Sequence, residues 1–186
     1  MSADGTELAI RKKLIENDKV EAIIILPRNL FYSTDISVTL WVLNNNKKAR
    51  VVTKNGQEIH YRDRENEVLF MDLRQMGVPF EKKYVELDQE TRDKVTRTYH
   101  SWQQEGFEES YHNEPEYCYS ATRAEIEQKG WSLVPSKYIE FRNRDEQVDF
   151  DAKMKELQTE MRGLLQQEEE SKQALKKLFE NLGYGI

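Results

Sequence analysis

The sequence is poor in the residues that build the commonest chemical sites. Its 186 residues hold one cysteine, Cys118, which excludes an internal disulfide framework. The three histidines, His60, His100 and His112, lie far apart in sequence, and Cys118 has no cysteine partner at finger spacing, so no metal site is expected. The eight glycines are scattered. They form neither a Gly-x-Gly-x-x-Gly turn nor a P-loop, so no loop offers the close backbone approach that a nucleotide phosphate needs. Neither a Gly-x-Ser-x-Gly elbow nor a distinctive nucleophile-and-base arrangement occurs. Long hydrophobic runs are missing too. None approaches the roughly 20 residues of a membrane span, and the mean hydropathy is −0.85. The opening residues, Met1-Ser2-Ala3-Asp4-Gly5, lack the basic-then-apolar pattern of a secretory leader. These absences lead to the expectation of a water-facing cytoplasmic protein without membrane association.

Charge is abundant and uneven. The net charge is −6, whereas nucleic-acid modules are more often basic, because phosphate neutralisation supplies most of their affinity. Between Lys47 and Arg64, however, six Lys or Arg face only two acids, Glu58 and Asp63. Two readings of this stretch stand: a solvated hairpin, or a phosphate-contacting loop that uses Lys47, Lys48, Arg50 and Lys54.

Hydrophobic patterning predicts a short first helix with Asp4 and Glu7 at capping-box spacing and Leu8, Ile10, Leu14 and Ile15 as a buried face. Val20 to Leu26 is nearly continuous in apolar residues, the mark of a strand covered on both faces. Val38 to Leu43 predicts a second buried strand. Asn55-Gly56 predicts a two-residue hairpin turn inside an exposed β-ribbon, and Glu67 to Asp72 a further strand. Asp88 to Gln104 predicts a helix whose Val95, Tyr99 and Trp102 face the core. Gly106 to Tyr119 is expected to be a loop and Ala121 to Gln128 a short helix capped by Ser120 or Thr122. Trp131 to Pro135 and Tyr138-Ile139 are expected to lie extended on a surface. The front of the chain is therefore one end of an α/β sheet, with too few elements for a complete doubly wound domain.

The last segment has the clearest periodicity. Phe150, Met154, Leu157, Met161, Leu164, Glu168, Ser171, Leu175, Leu178 and Leu182 follow alternating 4-3 spacing, a heptad seam with one polar interruption. The chain before it has too little apolar surface to cover the whole seam. Leu157, Met161, Leu164, Leu175, Leu178 and Leu182 are therefore expected to meet a partner or a second copy, with back-folding onto the front part as the alternative.

The loop that follows the first buried strand carries Asn29, Phe31 and Tyr32 together. Loops at the carboxyl ends of parallel strands are where open α/β sheets bind ligands, and exposed aromatics beside an amide suit stacking on a base. Burial of Phe31 and Tyr32 beneath the loop is the competing reading.

Several segments together resemble one family. Ile10 to Asp18, Val20 to Ile24, Leu26-Pro27-Arg28-Asn29-Leu30-Phe31-Tyr32-Ser33-Thr34, Leu40 to Leu43, Val68 to Arg74 and Trp131 to Tyr138 match, in order, the modification (M) subunit of type I restriction-modification systems. The resemblance implies the end of a class I, S-adenosylmethionine-dependent methyltransferase sheet that closes in an antiparallel hairpin. It implies N6-adenine DNA methylation by the intact enzyme, with a specificity (S) subunit choosing the DNA sequence and a restriction subunit able to join. On this basis residues 1–80 carry the final strands of the methyltransferase domain. Residues 81–145 are a helix and loop region packed on it, and residues 146–186 a tail that packs with helices of the specificity subunit.

The departures from the family pattern are specific. The family's glycine-rich cofactor loop and its catalytic Asn-Pro-Pro-Phe or Asn-Pro-Pro-Tyr are absent; Pro27, Pro79, Pro115 and Pro135 are never adjacent. The resemblance leaves only Phe31 from the active site, at the position where related enzymes stack an aromatic on the flipped base. The expectation is a C-terminal fragment of an M subunit with no S-adenosylmethionine site and no catalytic residue of its own. It would contribute to assembly, contact DNA through the complex, and form homo-oligomers in isolation. A stand-alone coiled-coil protein derived from such a subunit is the alternative.

Overall fold

The computed structural model describes residues 5–141 and 150–183. The chain divides into two compact units, residues 1–142 and 143–186.

The first unit begins with α1, Thr6–Glu16, followed by β1, Val20–Ile25. Gly5 occupies the N-cap of α1 and no side chain caps it; the Asp4 of the expected capping box lies outside the described residues. Arg11 and Ile15 are the buried positions of α1, while Ile10 is exposed. Arg11 reaches the core because its Nε donates to the Trp131 carbonyl at 2.7 Å, a use of a charged residue that apolar periodicity does not reveal.

Strand β2, Thr39–Leu43, runs antiparallel to β1, and β5, Glu67–Asp72, runs parallel to β1 on its other side. The fourth strand, β8, Cys118–Thr122, lies antiparallel to β5, so the sheet order is β2-β1-β5-β8. Two expectations are corrected. First, β2 is not buried: it is an edge strand with one neighbour, and Leu40 and Leu43 are about half exposed. Second, Cys118 to Thr122 is a strand, not the end of a loop and the start of a helix. Helix α3 is accordingly shorter, Arg123–Gln128, and begins at a capping box in which Thr122 and Glu125 bond each other's backbone. The residues from 81 onward thus supply part of the same sheet.

Both faces of the sheet are covered. Ile15, Ile23, Phe70, Ile126, Leu133 and Tyr138 pack on one face, with Tyr138 stacked on Phe70 at 4.2 Å between ring centroids. A short 3-10 turn, Pro135–Lys137, carries Tyr138 and Ile139 into this layer, where simple extended chain was expected. Helix α2, Gln89–Gln103, covers the other face with Val95, Tyr99 and Trp102, as its periodicity predicts. Asp88 caps α2 by accepting from the Thr91 N–H at 3.0 Å.

Two ribbons project from this sheet. Strands β3, Arg50–Lys54, and β4, Gln57–Tyr61, pair across Asn55 and Gly56, whose positive φ angles of 53° and 78° form the tight turn. Strands β6, Val78–Phe80, and β7, Tyr84–Glu86, form a second, shorter ribbon that hydrophobic patterning does not predict. Gly77 (φ 93°) is needed at its root, because a Cβ there would lie 2.7 Å from the Glu86 carbonyl oxygen.

The second unit is α4, Phe150–Asn181, which spans about 48 Å at 1.5 Å per residue. It has no buried residue, and Met154, Leu157, Met161, Leu164, Leu175 and Leu178 are all exposed, as is Leu182 just beyond its end. Among the described residues no helix is long and apolar enough to cross a membrane.

Candidate nucleic-acid interface

The carboxyl ends of the parallel pair β1 and β5 lie side by side, and the chain leaves both in loops that meet. The N–H of Leu73 donates to the Ile25 carbonyl at 2.9 Å, which ties the two exits together. The N–H of Val85, on the second ribbon, donates to the Asn29 carbonyl at 3.1 Å. Asn29 itself sits at φ 57°, a left-handed turn that asparagine tolerates better than most residues. Arg28 closes the loop by donating from Nε to the Asp35 carbonyl at 3.1 Å.

This geometry presents the aromatics outward. Phe31 is 42% exposed, bridged to Thr34 across a tight turn, and Tyr32 is 72% exposed. Burial beneath the loop, the competing expectation, does not occur. The Tyr32 ring meets Tyr84 of β7 edge-on, with centroids 4.6 Å apart. Leu30, Tyr32, Phe80, Tyr84, Leu87 and Arg92 line a cavity of about 310 Å³ beside the loop. Phe80 and Tyr84 therefore belong to the aromatic surface. The signal for them is faint in sequence, because a three-residue strand containing Pro79 does not read as a strand.

The basic stretch separates into two parts. Lys48 and Lys54 are exposed on or beside the first ribbon, and Arg50 stacks on Tyr61 with its guanidinium 4.6 Å from the ring centre. Lys47 is different and its expected DNA contact is corrected. It is 2% exposed, and its Nζ donates to Asp18 Oδ1 at 2.5 Å and to the carbonyls of Glu67 and Val20 at 2.6 and 3.1 Å. With three acceptors filled, its ammonium has no donor left for a phosphate.

At the far end of the ribbon Arg64 is equally buried. Its Nε lies 3.1 Å from Glu21 Oε1, its Nη1 donates to the carbonyls of Arg62 and Gln103, and its N–H donates to the Lys47 carbonyl. The Asn44 side chain donates to the other Glu21 oxygen at 2.6 Å. Lys47 and Arg64 thus pin the two roots of the ribbon to the sheet, leaving the middle of the basic stretch facing solvent. Glu21 interrupts an apolar run and faces this network because β1 bulges between Val20 and Ala22.

Burial pushes the Cys118 thiol above its usual range, against a smaller lowering by the Glu114 backbone bond, so it is a packed thiol and not a reactive one. Burial likewise raises the Tyr117 hydroxyl to about 12. No group of three or more His, Cys, Asp or Glu among these residues is placed to hold a metal ion.

A family model described as N-6 DNA methylase matches residues 1–147. Over 184 residues the chain is 31% identical to the type I restriction enzyme HindI methylase subunit of Haemophilus influenzae, covering 98% of this chain and 38% of that protein. It is 29% identical over 184 residues to the type I restriction enzyme MjaIX methylase subunit of Methanocaldococcus jannaschii, covering 99% of this chain and 30% of that one. The fold is similar to the crystal structure of the type I restriction-modification system methyltransferase subunit from Streptococcus thermophilus. The TM-score is 0.58 at 21% identity, over 75% of this chain and 24% of that chain. The chain thus spans well under half the length of these relatives.

Proposed function

The chain belongs to the N-6 DNA methylase family, and from that premise we propose that it is the DNA-facing and docking portion of a type I adenine-N6 methyltransferase modification subunit. It acts in the cytoplasm within an assembly that includes the specificity subunit. The observation that carries the reading is the surface at the carboxyl ends of β1 and β5. There Phe31 and Tyr32 stand exposed on a loop held by the second ribbon. In this reading Phe31 would stack on an extruded base with Asn29 and Tyr32 beside it in the loop, and Lys48, Arg50 and Lys54 would supply cations to the backbone. The exposed seam of α4 gives the assembly its helix-docking surface.

The reading assigns no catalytic step to this chain. Titration with S-adenosylmethionine is expected to give no measurable heat, and micromolar binding would overturn that part of the reading. The DNA contact is tested in the assembled complex. Replacing Lys48, Arg50 and Lys54 together by alanine is expected to lower the slope of log affinity against log salt by about 2 to 3, at about 0.9 for each duplex phosphate no longer neutralised. An unchanged slope would make the ribbon a solvated hairpin. Assembly is tested by light scattering after size exclusion, with the chain alone and mixed with a specificity subunit of a type I system. A stable mixed complex supports the docking role, and its absence removes it.

A further inference from the structure

The ribbon of β6 and β7 closes a ring with the aromatic loop. The Leu73 N–H donates to the Ile25 carbonyl at 2.9 Å and the Met76 N–H to the Leu73 carbonyl at 2.9 Å, so the chain leaving β5 turns at once into the ribbon. Strands β6 and β7 then pair from Val78 with Glu86 to Phe80 with Tyr84. The Val85 N–H returns to the Asn29 carbonyl at 3.1 Å. Among the described residues, this is the one hydrogen bond that reaches the loop between β1 and β2 from another element. The loop's other bonds join its own groups.

Side chains extend the same tie. The Tyr32 and Tyr84 rings meet edge-on at 4.6 Å, which sets the positive edge of one ring against the negative face of the other. The two rings are not equivalent. Tyr32 is 72% exposed, whereas Tyr84 is half-buried and has Lys83 Nζ 5.1 Å from its ring centre. Tyr84 is therefore the fixed member and Tyr32 the one that it holds. Tyr32 lies inside the tight turn that Phe31 and Thr34 bridge, so whatever orients Tyr32 also orients Phe31. We propose that Tyr84 is a positioning residue for base capture: through its contact with Tyr32 it holds the Phe31 turn in the orientation that receives an extruded base. Tyr84 acts through Tyr32 and makes no contact with the base. The inference rests on the proposed stacking role of Phe31 and adds the group that sets its orientation. A turn already oriented needs less ordering when the base arrives, and that saving favours extrusion.

The test uses the assembled complex and a duplex with 2-aminopurine in place of the adenine to be methylated, whose fluorescence rises when the base leaves the stack. Tyr84→Leu keeps apolar bulk beside Tyr32 and the Val85 bond to Asn29, but removes the ring. It is expected to lower the extrusion equilibrium about two- to tenfold, the worth of one edge-on aromatic pair, with the salt slope of duplex binding unchanged. Tyr84→Phe keeps the ring and is expected to match the parent. Phe31→Ala is expected to lower extrusion too, and reports on the stacking role itself. If Phe31→Ala lowers extrusion and Tyr84→Leu does not, the positioning role falls while the stacking role stands. If neither lowers it, both fall. A Tyr84→Phe protein as weak as Tyr84→Leu also overturns the proposal, because the hydroxyl and not the ring would then matter. So does a salt slope that falls with extrusion, which would mean a general loss of duplex docking.

Discussion

Arg64→Ala is expected to destabilise the first unit by about 3–5 kcal/mol, the range observed when one member of a buried ion pair is removed. Arg64 is 0% exposed and Glu21 2%. Truncating the arginine leaves the Glu21 carboxylate inside the protein with donors from Asn44 and Gln103 but no cation beside it. Glu21→Ala is expected to cost a similar amount, because Arg64 would retain only carbonyl acceptors, and its Nη2 already has no partner among the described residues. The double replacement Glu21→Met with Arg64→Met is expected to restore much of the loss. Taking both charges out of water carries a desolvation cost that an apolar pair of similar volume does not. Urea denaturation of the four proteins forms a double-mutant cycle that measures this. Single variants within about 0.5 kcal/mol of the parent would mean that the network is solvated and does not pin the ribbon. Since Arg64 also joins the two ribbon roots, its loss should free the ribbon before the sheet melts, visible as faster amide exchange in β3 and β4.

That network marks where the sequence stops being legible. The apolar run of β1, the Asn55-Gly56 turn and the α2 stripe are readable because each depends on a local period or a local turn geometry. Glu21, Lys47 and Arg64 are not, since a charge in sequence looks solvated until its partner is found, and these partners lie 20 to 43 residues away. The same reason explains β8. Cys-Tyr-Ser-Ala-Thr has no strong period of its own and becomes a strand by pairing with β5. At the candidate interface the exposure of Phe31 and Tyr32 follows from their loop position. The support from Tyr84 and Val85 requires the second ribbon, whose two strands are too short to announce themselves.

Aspartate at both Leu157 and Leu164 is expected to weaken association through α4 by more than about a thousandfold while leaving the first unit folded. Each carboxylate would be buried without a partner at an interface layer, at a cost of about 3 kcal/mol or more, and each 1.4 kcal/mol is tenfold in affinity. The cost to the isolated helix is far smaller, roughly 0.7 kcal/mol per residue, because both positions face solvent there. Light scattering reads the association and near-ultraviolet circular dichroism the packing of Trp102 and Tyr138 in the first unit. Association that survives both substitutions would show that the seam is not the interface.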